Sequence, residues 1–348
     1  MDNDTYIVPT ADSIRKKRVL VVGAGGFVGG FLVAEGLRRD YEVWAGVRES
    51  TSREWLADDR IHFLNLDFSH PESLSDALRV LPSEEKWDYI VYNLGATKVT
   101  RYMDFSRINY DYLRQFTTAL KSTGLMPGKF LYMSSLSAMG PGDEKHYTPF
   151  NEDMIPMPNT KYGASKLKAE MWLEMDEMPY IIFRPTGIYG PRDHDYFLMF
   201  KSIKKGFDFS VGYRRQMLTF IYVEDLARAV FDALEKSPVK ETYDISEPRS
   251  YSQSEFRRMS AKAIGKRFVM SVRMPLWGVK IVSAIAEKIG VARMKPSTLN
   301  RDKYRIMKQR NWNVDVSKAR REFGFSPQVA LKEGIERSVA WYKESGWL

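Results

Sequence analysis

The chain has 348 residues, 44% of them hydrophobic, enough to bury a large core as one big domain or two fused ones. It contains no cysteine, which excludes disulfides and thiolate chemistry and suits a reducing compartment such as the cytoplasm. The net charge of +9 and the pI near 9.3 come from basic residues spread along the chain rather than blocked. No aromatic-basic module accompanies them, so a phosphate-bearing ligand with a solvated basic surface is a simpler account than nucleic acid.

Residues 1–17 are mostly polar, with Tyr6-Ile7-Val8 as the one apolar cluster, and are expected to form a flexible leader without a signal-peptide core. The apolar run Arg18-Val-Leu-Val-Val22 then breaks on glycine and restarts with Phe27, Val28, Phe31 and Leu32 at helical spacing. That pattern is a buried parallel strand, a tight turn and a helix packing back on the sheet. Gly23, Gly26 and Gly29 stand three apart. This is a variant of the dinucleotide-binding glycine pattern, in which one glycine makes the turn, one admits a pyrophosphate and one lets helix and strand pack closely. The N–H groups at Phe27, Val28 and Gly29, with the positive end of the helix dipole, are then the phosphate site.

A second strand, Tyr41–Arg48, ends where such folds read the adenosine ribose. An acid there would bond the 2′-hydroxyl; instead Val47 fills the position and Arg48 follows, with Ser50, Thr51 and Arg53 close by. A guanidinium grips a phosphate bidentately, so NADP is expected over NAD, the plainer alternative being that Arg48 merely ends a surface strand. The third strand, Ile61–Phe68, places Asp67 and Phe68 near the adenine. A fourth, Trp87–Ala96, ends in Leu94, Gly95 and Ala96, where a bulky side chain would block a cofactor. A helix through Asn109 and Leu120 and a fifth strand, Lys129–Ser135, follow. Strands alternating with helices predict a doubly wound parallel α/β sheet with ligands outside the strands' carboxyl ends.

Tyr162 and Lys166 are four residues apart in a helical stretch, which puts phenol and ammonium on one face. A phenol with a pKa near about 10 is a poor proton shuttle at neutral pH, and a neighbouring ammonium is expected to lower it. Further on, Thr242–Glu247 reads as a late sheet strand. Met274–Gly290 reads as an amphipathic helix interrupted by Lys280, Glu287 and Lys288, too short and charged to span a membrane. Such a stripe is core, a substrate lid or, as the minority reading, an interfacial anchor. Ser317 is placed to cap a helix ending near Gly324, with Pro327 just beyond. His62, His70, His146 and His194 share no metal-ligand spacing, so no metal is expected.

Taken together, the chain resembles the extended short-chain dehydrogenase/reductase family, which includes the NAD(P)-dependent epimerases and dehydratases. The marks are Gly23-x-x-Gly26-x-x-Gly29, the strand-end Ser134-Ser135, Tyr162-x-x-x-Lys166, Arg184-Pro-Thr-Gly-Ile-Tyr189-Gly-Pro-Arg192, Phe220-Ile-Tyr-Val-Glu-Asp225 and the late Phe325-Ser-Pro. The resemblance implies that Tyr162 is the general acid/base, that Lys166 holds the nicotinamide ribose and that Ser135 bonds the reacting oxygen. It implies that Asn109 supports the lysine through water, that Ser134 belongs to the cofactor site, and that Pro185, Thr186, Gly187 and Ile188 line the nicotinamide end. Two subunits are expected to pair through the helices carrying Asn109 and Tyr162. Residues 18–190, rejoined by 215–247, would form the Rossmann domain; 191–214 and 248–348 would form a smaller, mostly helical substrate lobe.

In the sugar-nucleotide members an Arg-Asp pair commonly precedes the Val-x-Asp motif and reaches the substrate's pyrophosphate; here those positions are Leu218 and Thr219. The tyrosine that often follows the serine is replaced by Met139. With Met154, Met157, Met199 and Trp277 in the expected substrate lobe, this looks more like the dihydroflavonol-reductase and 3β-hydroxysteroid-dehydrogenase branches. The expectation is an NADP(H)-dependent interconversion of alcohol and ketone on a small apolar substrate. The alternatives are a nucleotide-sugar epimerase or dehydratase, with Arg192, Arg214 or Arg215 supplying the missing charge, and a non-catalytic NADP-binding regulator.

Overall fold

A computed structural model describes residues 15–81, 85–295, 297 and 299–348; most of the expected leader lies outside the described residues. The chain opens with β1 (Arg18–Val22), α1 (Phe27–Arg38), β2 (Glu42–Val47), β3 (His62–Asn65), α2 (Pro71–Leu78) and β4 (Tyr89–Tyr92). Next come α3 (Met103–Ser106), a five-residue π-helical segment (Arg107–Asp111), α4 (Tyr112–Thr123) and β5 (Lys129–Met133). After these are α5 (Lys161–Met175), β6 (Tyr180–Pro185), β7 (Gly187–Tyr189), α6 (His194–Lys204), β8 (Phe207–Val211) and β9 (Phe220–Tyr222). The chain closes with α7 (Val223–Lys236), β10 (Glu241–Ile245), α8 (Gln253–Ile264), β11 (Met270–Met274), α9 (Leu276–Ala292), α10 (Arg301–Lys308), α11 (Ser317–Phe323) and α12 (Leu331–Glu344).

Seven strands form one sheet in the order β10-β6-β5-β4-β1-β2-β3, every pair parallel. This is the doubly wound Rossmann arrangement the alternation of elements predicts, and its order reverses between β1 and β4. The period of two along a strand explains why β1 is apolar throughout: Val19 and Val21 enter the core on one face, Leu20 and Val22 the core on the other. Each such side chain contributes about 1.5–3 kcal/mol by leaving water.

A third apolar cluster lies outside the sheet, built from Tyr189, Phe200, Phe220, Phe256, Ile335 and Tyr342. The parallel pairs β7–β9 and β8–β11 accompany it. The division made from sequence gives all of 248–348 to this lobe, but Val314, Val316, Ala319, Phe323 and Phe325 pack on the sheet's first core instead. The aromatic run is as apolar as lobe sequence would be, and sequence carries no sign of which core it joins. A second correction is local. Ser317 is the first residue of α11 rather than its cap, because the Asp315 carboxylate two residues earlier accepts the Ser317 N–H at 2.8 Å. Gly324 ends that helix in the left-handed region as expected (φ 78°).

Candidate active site

The β1–α1 turn sits where the strand order reverses. Gly23 adopts φ +83°, and a Cβ there would lie 3.0 Å from the Leu94 backbone beyond β4, so the two strand ends meet at this point. A Cβ on Gly29 would stand 2.3 Å from the Gly23 carbonyl oxygen, closer than any side chain allows. Gly26 is the N-cap of α1 and no side chain caps that end, which leaves the first N–H groups, with Phe27 and Val28, facing outward. Glycine turn and bare helix end together fit the phosphates of a dinucleotide.

Arg48 is exposed just past β2, its backbone tied to Thr51 by the Arg48 N–H donating to Oγ1 (3.2 Å) and the Thr51 N–H to the Arg48 carbonyl (2.9 Å). Arg53 lies 4.1 Å over the Phe63 ring. The Asp67 carboxylate accepts the Ser69 N–H (2.8 Å) and faces His70 Nδ1 (2.9 Å), and the His70 bond holds it below the usual carboxylate range. The Phe68 ring stacks on Tyr112 in the second core, so only its backbone is open to a ligand.

The remaining residues converge from four elements. Thr160 caps α5 by accepting the Gly163 N–H (2.9 Å). A Cβ on Gly163 would lie 2.1 Å from the Ser137 carbonyl, so this glycine is what lets α5 approach the 3-10 turn that Ser135 caps. Tyr162 and Ser135 thereby become neighbours. Burial raises the Tyr162 phenol above its ordinary pKa, and a hydrogen bond from the Ser135 side pulls it back in part. Lys166, 4% exposed, donates to the Met133 carbonyl at the end of β5 (2.8 Å) and lies 4.8 Å over the Tyr132 ring. Burial brings its pKa down to about 7, against a smaller upward pull from Glu170. Here the sequence reading is corrected: Lys166 does not lower Tyr162. Its head is turned to a carbonyl and itself driven toward neutrality, so it offers the phenol little field.

Asn109 stands in the π-helical segment, fully buried. Its Oδ1 accepts the Ala96 N–H (2.7 Å), and its Nδ2 donates to the Ala96 carbonyl (3.1 Å) and to Ser165 Oγ (2.9 Å). A Cβ on Gly95 would meet Lys166 Nζ at 3.0 Å and Asn109 Oδ1 at 3.2 Å, so lysine and asparagine bracket the small residues after β4. Pro185 ends β6. Thr186 bonds Ser246 (3.2 Å), a Cβ on Gly187 would meet the Tyr196 hydroxyl at 2.0 Å, and Ile188 packs on the first core.

Other expected contacts point elsewhere. The Ser134 hydroxyl donates to Glu170, which is fully buried and paired with Arg184 (2.7 Å). Met139 is 3% exposed and its sulfur accepts from Arg184 Nη1 (3.0 Å), so it belongs to the support beneath the site rather than to a substrate wall. Met154 packs on the first core, Met199 on the third; Met157 and Trp277 are 72% and 70% exposed. Arg192 is stacked against Phe31 and Trp55 beside α1, and Arg214 and Arg215 are exposed.

Sequence reasoning missed Asp302, whose carboxylate accepts the first two N–H groups of α5, and the pairing of Lys98 and Lys303 with one Asp195. Burial pushes Asp195 up, but the two lysines outweigh it and keep it ionised. All four are polar residues in unpatterned stretches, with no local signal. Among the described residues no group of His, Cys, Asp or Glu could hold a metal.

The chain matches known proteins over most of its length. The model of the NAD dependent epimerase/dehydratase family matches residues 19–246. The chain belongs to that family. It is therefore an enzyme of the extended short-chain dehydrogenase/reductase type, dependent on NAD(P). A protein named ceramide reductase from Caulobacter vibrioides is 25% identical over 332 residues, covering 95% of this chain and 96% of that one. A dTDP-glucose 4,6-dehydratase from Neisseria gonorrhoeae is 24% identical over 367 residues, covering 95% and 96%. The crystal structure of UDP-glucuronic acid 4-epimerase from Bacillus cereus in complex with NAD shares the fold at 20% identity, with a TM-score of 0.74 over 94% of this chain and 99% of that one.

Proposed function

We propose that the protein is an NADP(H)-dependent oxidoreductase that interconverts a ketone and a secondary alcohol on an apolar substrate. The chemistry rests on Tyr162 beside Ser135 at the carboxyl end of the sheet, with Lys166 buried beneath them. A bound nicotinamide would supply or remove the hydride. The glycine turn would hold its phosphates, and Lys166 and the Gly95-Ala96 stretch would border its ribose. Tyr162, kept protonated by burial, gives its proton to the carbonyl oxygen as that oxygen becomes a hydroxyl, and Ser135 orients the oxygen. Asn109 fixes the Ala96 backbone and, through Ser165, the α5 turn that presents both groups.

One observation carries the substrate class. At the positions where sugar-nucleotide relatives commonly hold an arginine and an aspartate, Leu218 packs into the third core and the Thr219 hydroxyl donates to the Trp312 carbonyl, so neither offers a charge to a pyrophosphate. The similarity to a protein named ceramide reductase supports the same reading. A second reading, a nucleotide-sugar epimerase or dehydratase, is favoured by the similarity to dTDP-glucose dehydratases and by Lys98 and Lys303, two cations sharing one carboxylate. NADPH consumption with long-chain ketones in mixed micelles, set beside chromatographic detection of product from UDP- and dTDP-sugars, whose epimerisation or dehydration consumes no net NADPH, separates the two. Turnover of a nucleotide sugar that disappears in Tyr162→Phe would overturn the first. As for assembly, two copies would pair through the helical stretches carrying Asn109 and Tyr162; Met171 and Met175, both on α5, are exposed.

A further inference from the structure

Helix α9 is apolar on both sides. Val279 and Ser283, 1% and 0% exposed, face the protein, and the carboxylate of Glu287 accepts from the Tyr102 hydroxyl and the Arg301 N–H. Trp277, Ile281, Ile285 and Ile289 recur every fourth residue and so form one stripe, and they are 70%, 52%, 53% and 47% exposed. The β8–β11 pair, which runs straight into α9, adds exposed Phe207, Phe209 and Met270. Ten of the 21 exposed large apolar side chains among the described residues fall in α9 and this strand pair, whereas a soluble surface scatters them.

The charge around the stripe has one sign. Residues 266–295 carry seven basic residues and a single acid, Glu287, which is turned inward. Lys280 and Lys288 are both exposed on α9 itself, and among the described residues neither is paired with a carboxylate. We propose that α9 and the β8–β11 pair dock on an anionic lipid bilayer, with α9 lying in the interface plane, its isoleucines and Trp277 in the acyl boundary and the basic rim on the headgroups. A second copy of the chain fits the face poorly, because it would set two such positive rims against each other. Spanning is not involved, since no helix among the described residues is long and apolar enough to cross a membrane. The position has a consequence for the active site. The chain leaving α9 enters α10, whose Asp302 holds the backbone of Tyr162, and a cleft lined by Val99, Tyr102, Val291 and Asn300 opens between α9 and the loop after β4.

The inference does not depend on which substrate is turned over, and its test uses binding alone. The purified full chain is sedimented with vesicles of phosphatidylcholine, with and without phosphatidylglycerol, across a salt series. Sedimentation with the anionic vesicles, weakening as salt rises, is expected. Both the double variant Ile281→Asp/Ile285→Asp and the charge variant Lys280→Glu/Lys288→Glu should bind about tenfold more weakly or worse. All four positions are exposed, so melting and dinucleotide binding should match the parent chain. Three results would overturn the proposal: no sedimentation with either vesicle, sedimentation unchanged in both variants, or a solution dimer that these variants dissolve while vesicles bind nothing.

Discussion

Asp302 holds the backbone of Tyr162: its Oδ1 accepts the Lys161 N–H and its Oδ2 the Tyr162 N–H, each at 2.9 Å. An α-helix leaves its first N–H groups without partners, and here a carboxylate from α10, 4% exposed, takes two of them beside the positive end of the dipole. Asp302→Ala should lower stability by about 0.5–2 kcal/mol, as the loss of a helix cap does, and loosen the turn that presents the phenol. Asp302→Asn keeps one acceptor and should fall between. Thermal unfolding beside steady-state turnover checks this, and an alanine variant that melts with the parent chain would refute it.

Two buried groups give stability opposite pH slopes. Lys166 titrates at about 7 in the fold against 10.5 when free, so between those values the unfolded chain binds more protons. Its contribution therefore rises with pH through that window and is lost as pH falls through about 7. Asp244 is the reverse. Burial, with both carboxylate oxygens unpartnered, brings it up to about 8 from 3.8, so the folded chain binds more protons in between and stability falls as pH climbs toward 8. Lys166→Met should stabilise the cofactor-free protein below neutrality and flatten the first slope. Asp244→Asn should raise the melting temperature above pH 8 and flatten the second. Melts of the three proteins across pH decide, and parallel curves would refute both assignments.

What sequence made legible was local. The β1–turn–α1 unit is read from a dozen consecutive residues, and Tyr162 and Lys166 share one helix face, so spacing alone brings them together. Partners distant in sequence were not legible: Asp302 meets Tyr162 across 140 residues, and Glu170 pairs with Arg184 from a different element. Nor does periodicity tell inside from outside. Trp277 and Ile281 repeat as regularly as any core stripe, and only packing reveals that they face outward. The direction of Lys166 was hidden for a related reason: helical spacing sets its face, while the Met133 carbonyl, on another element, sets where its ammonium ends.

The preference for NADP is tested at Arg48. Its guanidinium is exposed past β2, where an acid would repel a 2′-phosphate and Val47 stands instead. NADP(H) should bind at least about tenfold tighter than NAD(H), about 1.4 kcal/mol, and Arg48→Ala should remove most of that difference while leaving NAD(H) affinity nearly unchanged. Titration of both nucleotides against both proteins measures it. Equal affinities in the parent chain would assign Arg48 to the surface.

Tyr162→Phe separates the chemical role of the phenol from its packing. The ring lies 5.9 Å from Phe105 and its backbone is held by Asp302, and neither contact involves the hydroxyl, so the variant should fold and bind dinucleotide as the parent does. Loss of a positioned acid should still slow turnover by about 10²–10⁴. Because burial raises the phenol's pKa, it is protonated at neutral pH, and reduction of a ketone should lose rate only on the alkaline side, a limb absent from the residual activity of the phenylalanine variant. Ser135→Ala should slow the reaction too but keep that limb, since the acid itself remains. Full activity in Tyr162→Phe would move the proton transfer to another group, and an unaltered pH profile would leave the phenol a structural role.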